Sequence, residues 1–533
     1  MNKVLMIGLD GATYTLLNPM MENGIMPFMN KFLKEGVYSN LMSTRNPLTP
    51  PAWTSMITGR DPDAHGIYDF LHPESSSNGV YLKLNDSRNI RCETLWSMAS
   101  RQGKKVTSLN FYGMSPPFPI DGYLISGFVP WKHLRSATHP PTLFETLKSL
   151  PNFNYKHLGM DISDEKKCIQ GLGEDEYENW IFSQLNRTEA WSDLLSYLMK
   201  TDPTDLTAIV FDGPDKLQHL FWRYLDPQLF ATYQEPLDIR IRQLCLDYYK
   251  KLDSIIENLV SLSGSDTNVI FTSDHGFGST TEVVYINEWL SQNGYLKWAD
   301  SSDSGDVSGK LTPDRMKEHM MMIDWKNTLA YCPSPSSNAI YVLRNDDSNA
   351  GVKNEEYAQF CSKLKQQLKN YKDPSDGKHV FVDVDINRKR IEGLPTIEYS
   401  PDITLKLRDG GFVSIVKSTR VVTPREKPEG THRPNGIFIA RGPDIKTELS
   451  LQPLSILDIT PLLLYLLRLP ISSDLEGRLP VAVINEDTLS SYPVQYDDTS
   501  HYQWQGSVDQ TKDISEEEKD ALMNQLKLLG YMD

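Results

Sequence analysis

The sequence has few cysteines, and none lies in a spacing typical of a metal site or a disulfide framework. Among 533 residues there are five cysteines, scattered along the chain without a Cys-x-x-Cys pair. This distribution argues against a thiolate zinc site and is typical of a reducing compartment. The first apolar run reaches Asp10 too early to form a signal peptide. We therefore predict a cytoplasmic protein.

A hydrophobic run long enough to cross a membrane is also absent. The most apolar late stretch, residues 461–467, ends at Arg468 and predicts a buried helix with Pro461 in its first turn. The 70 acidic residues outnumber the 54 Lys and Arg residues, which gives a formal net charge of −16. We therefore expect neither a membrane nor a nucleic-acid polymer as a partner. The charge allows a small phosphorylated substrate if metal ions neutralise the site. No internal repeat is visible, and homo-oligomerisation is left open.

Short apolar runs indicate the strands of an α/β fold. Residues 4–9, 206–211 and 268–271 are mostly apolar and lead into acidic residues, and a further predicted strand, 437–440, follows His432. Such runs are typical of parallel strands covered on both faces. We predict a large, mostly parallel central sheet with helices on both faces and an inserted cap region. Predicted helices cover residues 19–36, 94–101, 163–200, 236–262 and 355–371.

Composition suggests how this fold is divided along the chain. We expect residues 1–299 to form the first part of the core domain and residues 425–480 its last part. Between them, residues 300–424 are predicted to form an insertion or cap, which opens with an exposed Ser- and Asp-rich loop at 300–314. Residues 481–533 are predicted to be a polar extension ending in a helix, because a capping box begins at Ser515.

The stretch from Leu48 to Gly59 predicts a loop that turns into a short helix. Pro50 and Pro51 suit a first helical turn, and Gly59 suits a left-handed C-terminal cap. Thr49 then lies at or beside the N-cap. On the simplest interpretation it only caps the helix. Alternatively, a hydroxyl at the positive end of a helix dipole suits a nucleophile beside a bound phosphate.

Acids and histidines adjoin four of the predicted strands. Taken singly, each has an ordinary explanation as a turn residue, a surface hydrogen bond or a structural histidine. Gathered at one sheet edge, three carboxylates and three imidazoles would repel each other or stay unsatisfied without a cation. Such ligands without thiolates suit zinc, manganese or iron, and six of them are about what two ions need. The six are Asp10, Asp215, His219, Asp274, His275 and His432.

These residues lie in motifs that resemble the alkaline phosphatase superfamily, on its nucleotide pyrophosphatase/phosphodiesterase side, among predicted phosphohydrolases. The motifs occur in the family's order from Asp10 to about Arg478. They are Gly-Leu-Asp10-Gly, Thr49-x-Pro with Thr58-Gly59 and His65-Gly66, Pro-Asp215-x-x-x-His219, Ser-Asp274-His275-Gly and Gly-x-His432.

The resemblance implies a phosphohydrolase with two divalent metal ions, Zn²⁺ in the first place and Mn²⁺ as the alternative. It implies that Asp215, His219 and His432 hold one ion. It also implies that Asp10, Asp274 and His275 hold the other, with Thr49 as fourth ligand and nucleophile. The implied reaction cleaves a phosphodiester or pyrophosphate bond of a nucleotide-like or other small phosphorylated substrate through a phosphothreonine intermediate. Two ions ~3.5–4 Å apart stabilise the attacking and leaving oxygens of such a displacement.

The sequence departs from the family at two positions. Pro50 follows the predicted nucleophile and offers no N–H to the phosphoryl group. Phe70 stands where the related pyrophosphatases carry an asparagine that binds a phosphoryl oxygen. Asn110, Asp69 and Arg60 are the candidate substrate contacts that could replace it.

Several other functions are compatible with parts of this pattern. A sulfatase would need Cys or Ser in place of Thr49 and Arg in place of Trp53. A phosphomonoesterase or phosphomutase of the same superfamily stays open. From another class, a metal-stabilised binding protein could hold a phosphorylated ligand without turnover. Such a protein would not need a hydroxyl at position 49.

Overall fold

A computed structural model describes residues 3–76, 79–160, 176–299, 322–345, 351–387 and 399–498. Two predictions lie outside these residues, namely the exposed loop at 300–314 and the C-terminal helix after Ser515. The helix predicted from Ser163 is described from residue 176 onward. The predicted domain boundaries stay predictions.

The strands number β1 to β21 in chain order. Their bounds are β1 Lys3–Leu9, β2 Val37–Met42, β3 Leu71–Ser76, β4 Gly79–Leu84, β5 Val106–Phe111, β6 Gly122–Ser126, β7 Thr138–His139, β8 Leu206–Phe211, β9 Thr267–Thr272, β10 Gly276–Tyr285, β11 Ala330–Tyr331, β12 Ala339–Val342, β13 Phe381–Ile386, β14 Ile403–Leu407, β15 Val413–Ser414, β16 Val422–Arg433, β17 Asn435–Arg441, β18 Leu449–Ser450, β19 Leu454–Ser455, β20 Ile471–Ser472 and β21 Tyr496–Asp497.

The α-helices of the described residues number α1 to α14. Their bounds are α1 Tyr14–Glu22, α2 Pro27–Glu35, α3 Thr49–Thr58, α4 Pro62–His65, α5 Leu95–Arg101, α6 Pro141–Ser149, α7 Tyr177–Thr201, α8 Gly213–Leu225, α9 Pro227–Phe230, α10 Pro236–Ser263, α11 Ile286–Gln292, α12 Tyr357–Asn370, α13 Ile459–Leu466 and α14 Glu486–Ser491. None of these helices combines the length and the apolar character needed to cross a bilayer.

A ten-stranded sheet forms the centre of the fold, in the order β18-β2-β17-β9-β1-β8-β5-β6-β7, with β19 also paired to β2. Strands β9, β1, β8, β5 and β6 pair in parallel. Strand β17 is antiparallel to both of its neighbours, β2 and β9. The mostly parallel α/β sheet predicted from the sequence is therefore confirmed, with β17 as an antiparallel insert.

Helices cover both faces of this sheet. In β1, Leu5, Ile7 and Leu9 pack into one hydrophobic cluster with residues of α1, α2, α7, α8 and α10. The alternate residues Val4 and Met6 pack into a second cluster with residues of α3, α5 and α13. Because successive strand residues point to opposite faces, both sides of the sheet are buried, which explains the continuous apolar runs.

A second layered region lies between β9 and β17 in the chain. Strands β10 and β16 pair in antiparallel fashion and carry β15 at one edge, while β11, β12, β14 and β13 form a four-stranded sheet. Residues of both sheets and of α11 and α12 share a third hydrophobic cluster with Leu48 and Phe70. Strand β10 therefore begins shortly after the end of β9, and strand β16 returns the chain to the start of β17.

The single helix predicted for residues 19–36 is wrong. The chain forms two helices, α1 and α2, because α1 ends at Glu22 and Gly24 adopts a left-handed conformation with φ of 73°. Pro27 then begins α2, as proline fits the first turn of a helix. Several other predicted elements agree with the structure to within a few residues, as α5, β8, α10 and β9 show.

Candidate active site

Helix α3 presents Thr49 at its N-terminus. Leu48 is the extended N-cap residue, and its apolar side chain makes no capping hydrogen bond. Gly59 closes the helix in the left-handed conformation, with φ of 63°, as the sequence predicts. Thr49 is therefore the first helical residue rather than a cap, and its interpretation as a simple capping residue is wrong. Its buried hydroxyl Oγ1 lies 3.4 Å from His275 Nε2.

A first cluster of metal-ligand type joins the ends of β1 and β9. Asp10 follows β1, and Asp274 and His275 follow the neighbouring β9, so parallel pairing brings the three side chains together. His275 Nε2 lies 3.2 Å from Asp274 Oδ2 and 3.6 Å from Asp10 Oδ1. Two donors orient the acids, because Trp53 Nε1 donates to Asp10 Oδ2 at 3.2 Å and Gly11 N donates to Asp274 Oδ1 at 3.2 Å.

A second cluster joins helix α8 to strand β16. Asp215 and His219 are four residues apart on α8 and therefore lie on one face of the helix. His432 Nε2 lies 3.1 Å from Asp215 Oδ1 and 3.0 Å from His219 Nε2. His432 Nδ1 contacts the Pro47 carbonyl at 2.7 Å, which directs Nε2 toward the cluster. His432 belongs to strand β16.

The two clusters are adjacent and share one buried site. The rings of His275 and His432 stack with centroids 3.5 Å apart. His275 Nε2 also lies 3.9 Å from Asp215 Oδ1, so an acid of one cluster contacts an imidazole of the other. The structure thus brings Thr49 and the six predicted ligand residues together.

Burial works against charge throughout this site. It raises the pKa of Asp10 well above its usual range, helped by the negative charges of Asp274 and Asp215. Burial and Asp215 do the same to the pKa of Asp274. Burial also opposes ionisation of Asp215, but His219 and His432 outweigh it and hold its pKa well below its usual range. Concentrating buried acids in this way is costly unless a cation compensates them.

Two carboxylate oxygens show directly that the residues fit a cation. Asp10 Oδ1 and Asp274 Oδ2 are buried and have no hydrogen-bond donor among the described residues. Such acceptors cost free energy unless a ligand satisfies them. Each cluster offers three ligand atoms that lie within 4.8 Å of one another. Carboxylates and imidazoles without thiolates match divalent ions such as zinc or manganese.

Replacing Trp53 with phenylalanine is expected to weaken metal binding about 10-fold to 100-fold, because it removes the donor that orients Asp10. Competition with a chromophoric chelator would measure the affinity. Trp96→Phe is the matched control, since Trp96 is equally buried and also packs edge-on against Phe111, but its Nε1 has no partner among the described residues. Equal losses in the two variants would contradict the role of Trp53.

Each candidate substrate contact has other partners in the structure. Asp69 accepts hydrogen bonds from the hydroxyls of Ser334 and Ser336. Arg60 follows the far end of α3, about 15 Å of helix from Thr49, and pairs with Asp474 at 2.6 Å. The structure therefore does not bring Arg60 to the site. Asn110 is nearer to the sheet centre, but its amide is engaged on both sides: Nδ2 donates to the Val210 carbonyl at 2.8 Å, and Oδ1 accepts from Arg187 at 3.0 Å.

Sequence reasoning missed three features around the site. The Pro47 carbonyl orients His432, and no side-chain pattern signals a backbone acceptor. Trp53 lies four residues after Thr49, and this helical spacing could have placed it beside the site. A buried group of charges at Arg187, Asp212 and Lys216 also adjoins the site. Asp212 and Lys216 flank the Asp215 motif and could have been found there, whereas Arg187 on α7 carried no signal.

Comparison with solved structures finds the same fold in an ectonucleotide pyrophosphatase/phosphodiesterase and in a phosphonoacetate hydrolase. Human ectonucleotide pyrophosphatase/phosphodiesterase 5 is 15% identical, with a TM-score of 0.50 and coverage of 91% of this chain and 100% of that chain. An inactive murine form of that protein in complex with AMP gives the same values. Phosphonoacetate hydrolase from Sinorhizobium meliloti, in complex with phosphonoformate, is 14% identical with a TM-score of 0.52, covering 87% and 95% of the two chains.

Sequence comparison identifies the family. A search of curated proteins found no significant match. The family model for type I phosphodiesterase / nucleotide pyrophosphatase, however, matches residues 4–435. This match covers most of the chain and includes all six clustered ligand residues and Thr49. The chain therefore belongs to the type I phosphodiesterase / nucleotide pyrophosphatase family, a group of hydrolases within the alkaline phosphatase superfamily.

Proposed function

We propose that this protein is a two-metal phosphohydrolase. It cleaves a phosphodiester or pyrophosphate bond of a small, nucleotide-like substrate through a phosphothreonine at Thr49. The observation that carries this proposal is the position of the Thr49 hydroxyl, 3.4 Å from His275 Nε2 at the start of helix α3. A protein that only bound a phosphorylated ligand would have no need for a buried hydroxyl there.

The residues that would hold the metal ions divide between the two clusters. Asp215, His219 and His432 would hold one ion, and Asp10, Asp274 and His275 the other, with Thr49 as a further ligand of the second. Zn²⁺ is the ion that we propose, with Mn²⁺ as the alternative. When bound, such ions activate the hydroxyl and neutralise charge on the phosphoryl oxygens.

The chain's own residues position the reacting groups. Thr49 Oγ1 forms a bond to phosphorus, the bond from phosphorus to the leaving group breaks, and the leaving oxygen takes up a proton. Water then attacks the phosphothreonine, which restores the hydroxyl and releases the phosphorylated product. The N-terminus of α3 points its partial positive charge at the phosphoryl group. Trp53 and the Pro47 carbonyl keep Asp10 and His432 in orientation.

The substrate that we propose is nucleotide-like. The AMP complex of the murine relative supports a nucleotide-like substrate, since it shows that this fold can hold a nucleoside monophosphate. A phosphomonoesterase or phosphomutase would use the same two clusters and the same hydroxyl. A phosphodiesterase acts on a phosphoryl group that carries a second ester, whereas a monoesterase or mutase acts on one that does not. A diester and a monoester tested in parallel therefore distinguish these activities.

Purified protein is expected to contain about two transition-metal ions per chain and to hydrolyse bis-p-nitrophenyl phosphate. Elemental analysis gives the metal content, and release of p-nitrophenol is followed with the diester and with p-nitrophenyl phosphate in parallel. Hydrolysis of the monoester alone would shift the assignment to a phosphatase or mutase. Bound metal without either activity would favour a binding protein or a narrow substrate range. A protein that binds no metal even after reconstitution would contradict the proposal.

A further inference from the structure

A buried cluster of charges lies beside the candidate active site. Asp212, directly after β8, accepts a bifurcated hydrogen bond from Arg187 Nε, which lies 3.2 Å from Oδ1 and 3.1 Å from Oδ2. The ammonium of Lys216, one turn along α8, lies 3.4 Å from Asp212 Oδ2. All three side chains are buried, with Lys216 only 1% exposed. Arg187 and Lys216 together hold the pKa of Asp212 at about 2, against the effect of burial.

This cluster carries one positive charge more than its single carboxylate can balance. The guanidinium of Arg187 is well satisfied, because it also bonds the Leu158 carbonyl at 2.6 Å and Asn110 Oδ1 at 3.0 Å. Among the described residues, Asp212 is the charged partner of the Lys216 ammonium, at 3.4 Å, and Arg187 Nε donates to the same carboxylate. An ammonium group has three donors, and burial is costly for those that stay unused. Its position therefore calls for another anionic oxygen.

The Lys216 ammonium also lies near a group of packed aromatic rings, Phe128, Phe70 and Tyr112, called here the aromatic wall. Its Nζ lies 5.8 Å from the centroid of the Phe128 ring. Phe128 has a φ of 56°, a strained conformation for a bulky residue, and such strain is concentrated at functional sites. The ring packs against Phe70 and Tyr112, with centroids 5.9 and 5.5 Å away. Phe70 is the position at which the sequence lacks the expected asparagine.

The charge cluster neighbours a predicted ligand residue in the chain, and the aromatic wall shares a hydrophobic cluster with the residue before Thr49. Phe128, Phe70 and Tyr112 belong to the same hydrophobic cluster as Leu48, the residue before Thr49. Lys216 directly follows Asp215 on α8. The charge of Asp212 acts on Asp10 strongly enough to contribute to its raised pKa. An ammonium between Asp212 and Phe128 therefore lies at the edge of the site that would receive the phosphoryl group.

The geometry points to Lys216 as a substrate-binding residue that donates to a non-bridging oxygen of the phosphoryl group, in place of the asparagine absent at Phe70. This inference rests on the proposed function, since it assigns a role within the same site. A lysine supplies a full positive charge where an asparagine supplies only a neutral amide. Bonds between charged partners are roughly twice as strong as neutral ones, so the site would favour phosphoryl groups with more negative charge.

Binding of inorganic phosphate to the metal-loaded full chain tests this role without relying on turnover. Titration calorimetry of Lys216→Met is expected to show phosphate affinity weakened about 10-fold to 100-fold, with the metal content unchanged. Lys216→Arg keeps the charge and should stay within about threefold of the wild type. Lys105→Met is the control, because it removes another lysine paired with one aspartate, Asp202, away from the site. If Lys216→Met does not fold, Lys216→Gln retains a donor without the charge and should also bind phosphate more weakly.

Unchanged phosphate affinity in a folded, metal-loaded Lys216→Met or Lys216→Gln variant would overturn the inference. So would an altered metal content with intact phosphate affinity, because Lys216 would then only balance the charge of the ligand carboxylates. Wild-type protein that binds metal but no phosphate would also overturn it. Failure of the proposed function looks different: the wild type would bind phosphate, lose that affinity in Lys216→Met, and still hydrolyse neither ester.

Discussion

Replacing Thr49 with alanine is expected to lower turnover at least ~10³-fold, because no other group would attack the phosphorus with comparable geometry. The metal content should stay near that of the wild type, since each cluster keeps its three carboxylate and imidazole ligands. Thr49→Ser retains the hydroxyl and should keep part of the activity. Thr54→Ala is the matched control, because it removes another buried threonine hydroxyl from the same helix.

A covalent intermediate gives this prediction a second, independent measurement. Rapid acid quench of the wild type during turnover, followed by peptide mass spectrometry, should find one phosphoryl group on the peptide that contains Thr49. Thr49→Ala should show none. Activity that persists in Thr49→Ala, together with the absence of a phosphopeptide in the wild type, would mean that water attacks the substrate directly. The two-metal assignment would survive that result, but the role of Thr49 would not.

The sequence could predict those parts of the fold in which the hydrophobic pattern of a segment matches its burial in the structure. Strands β1 and β8 are continuously apolar because both sheet faces are covered, so their sequence alone indicates a buried parallel strand. The acids that follow β1 and β9 meet for the same topological reason, since parallel strands gather their carboxyl ends at one edge. This argument places Asp10 and Asp274 together without any knowledge of their contacts.

His432 reaches the same edge by a route that the sequence did not show. It precedes its main-sheet strand, β17, instead of following it, and β17 is antiparallel to β9. The start of an antiparallel strand lies at the same edge as the ends of its parallel neighbours. His432 also lies in the long strand β16, opposite Phe277 of β10. Strand direction depends on long-range pairing, so a short apolar run cannot reveal it.

The sequence could not predict how far the candidate substrate contacts lie from Thr49, because that distance depends on how the chain folds. Arg60 is close to Thr49 in sequence, but a ten-residue helix separates the two. Asn110 is close to the site, yet its amide already bonds Val210 and Arg187. Arg187 comes from a different helix, α7, and joins Asp212 only through the packing of α7 on β8. Such tertiary charge pairs leave no local spacing to detect.

Replacing predicted metal ligands is expected to have the second large effect, a loss of bound metal. His432→Ala is expected to lower the metal content from about two ions per chain to about one, because it removes one of three ligands from the Asp215 cluster. Asp274→Ala should remove the other ion in the same way, and the double variant should contain almost none. Inductively coupled plasma mass spectrometry after exhaustive dialysis would measure the content. His65→Gln is the control, since His65 is equally buried but bonds Ser55 instead.

The expected loss of metal also predicts a change in stability. In the metal-free protein the three acids are buried beside one another, so cations that bind only the folded state should raise the unfolding temperature of the wild type. At a free metal concentration of 100 times the dissociation constant, one ion contributes about 2.7 kcal/mol. His432→Ala and Asp274→Ala should each lose part of that increase, whereas His65→Gln should retain all of it. An unchanged metal content in either ligand variant would remove that residue from the site, and an equal increase in all variants would mean that the ions bind elsewhere.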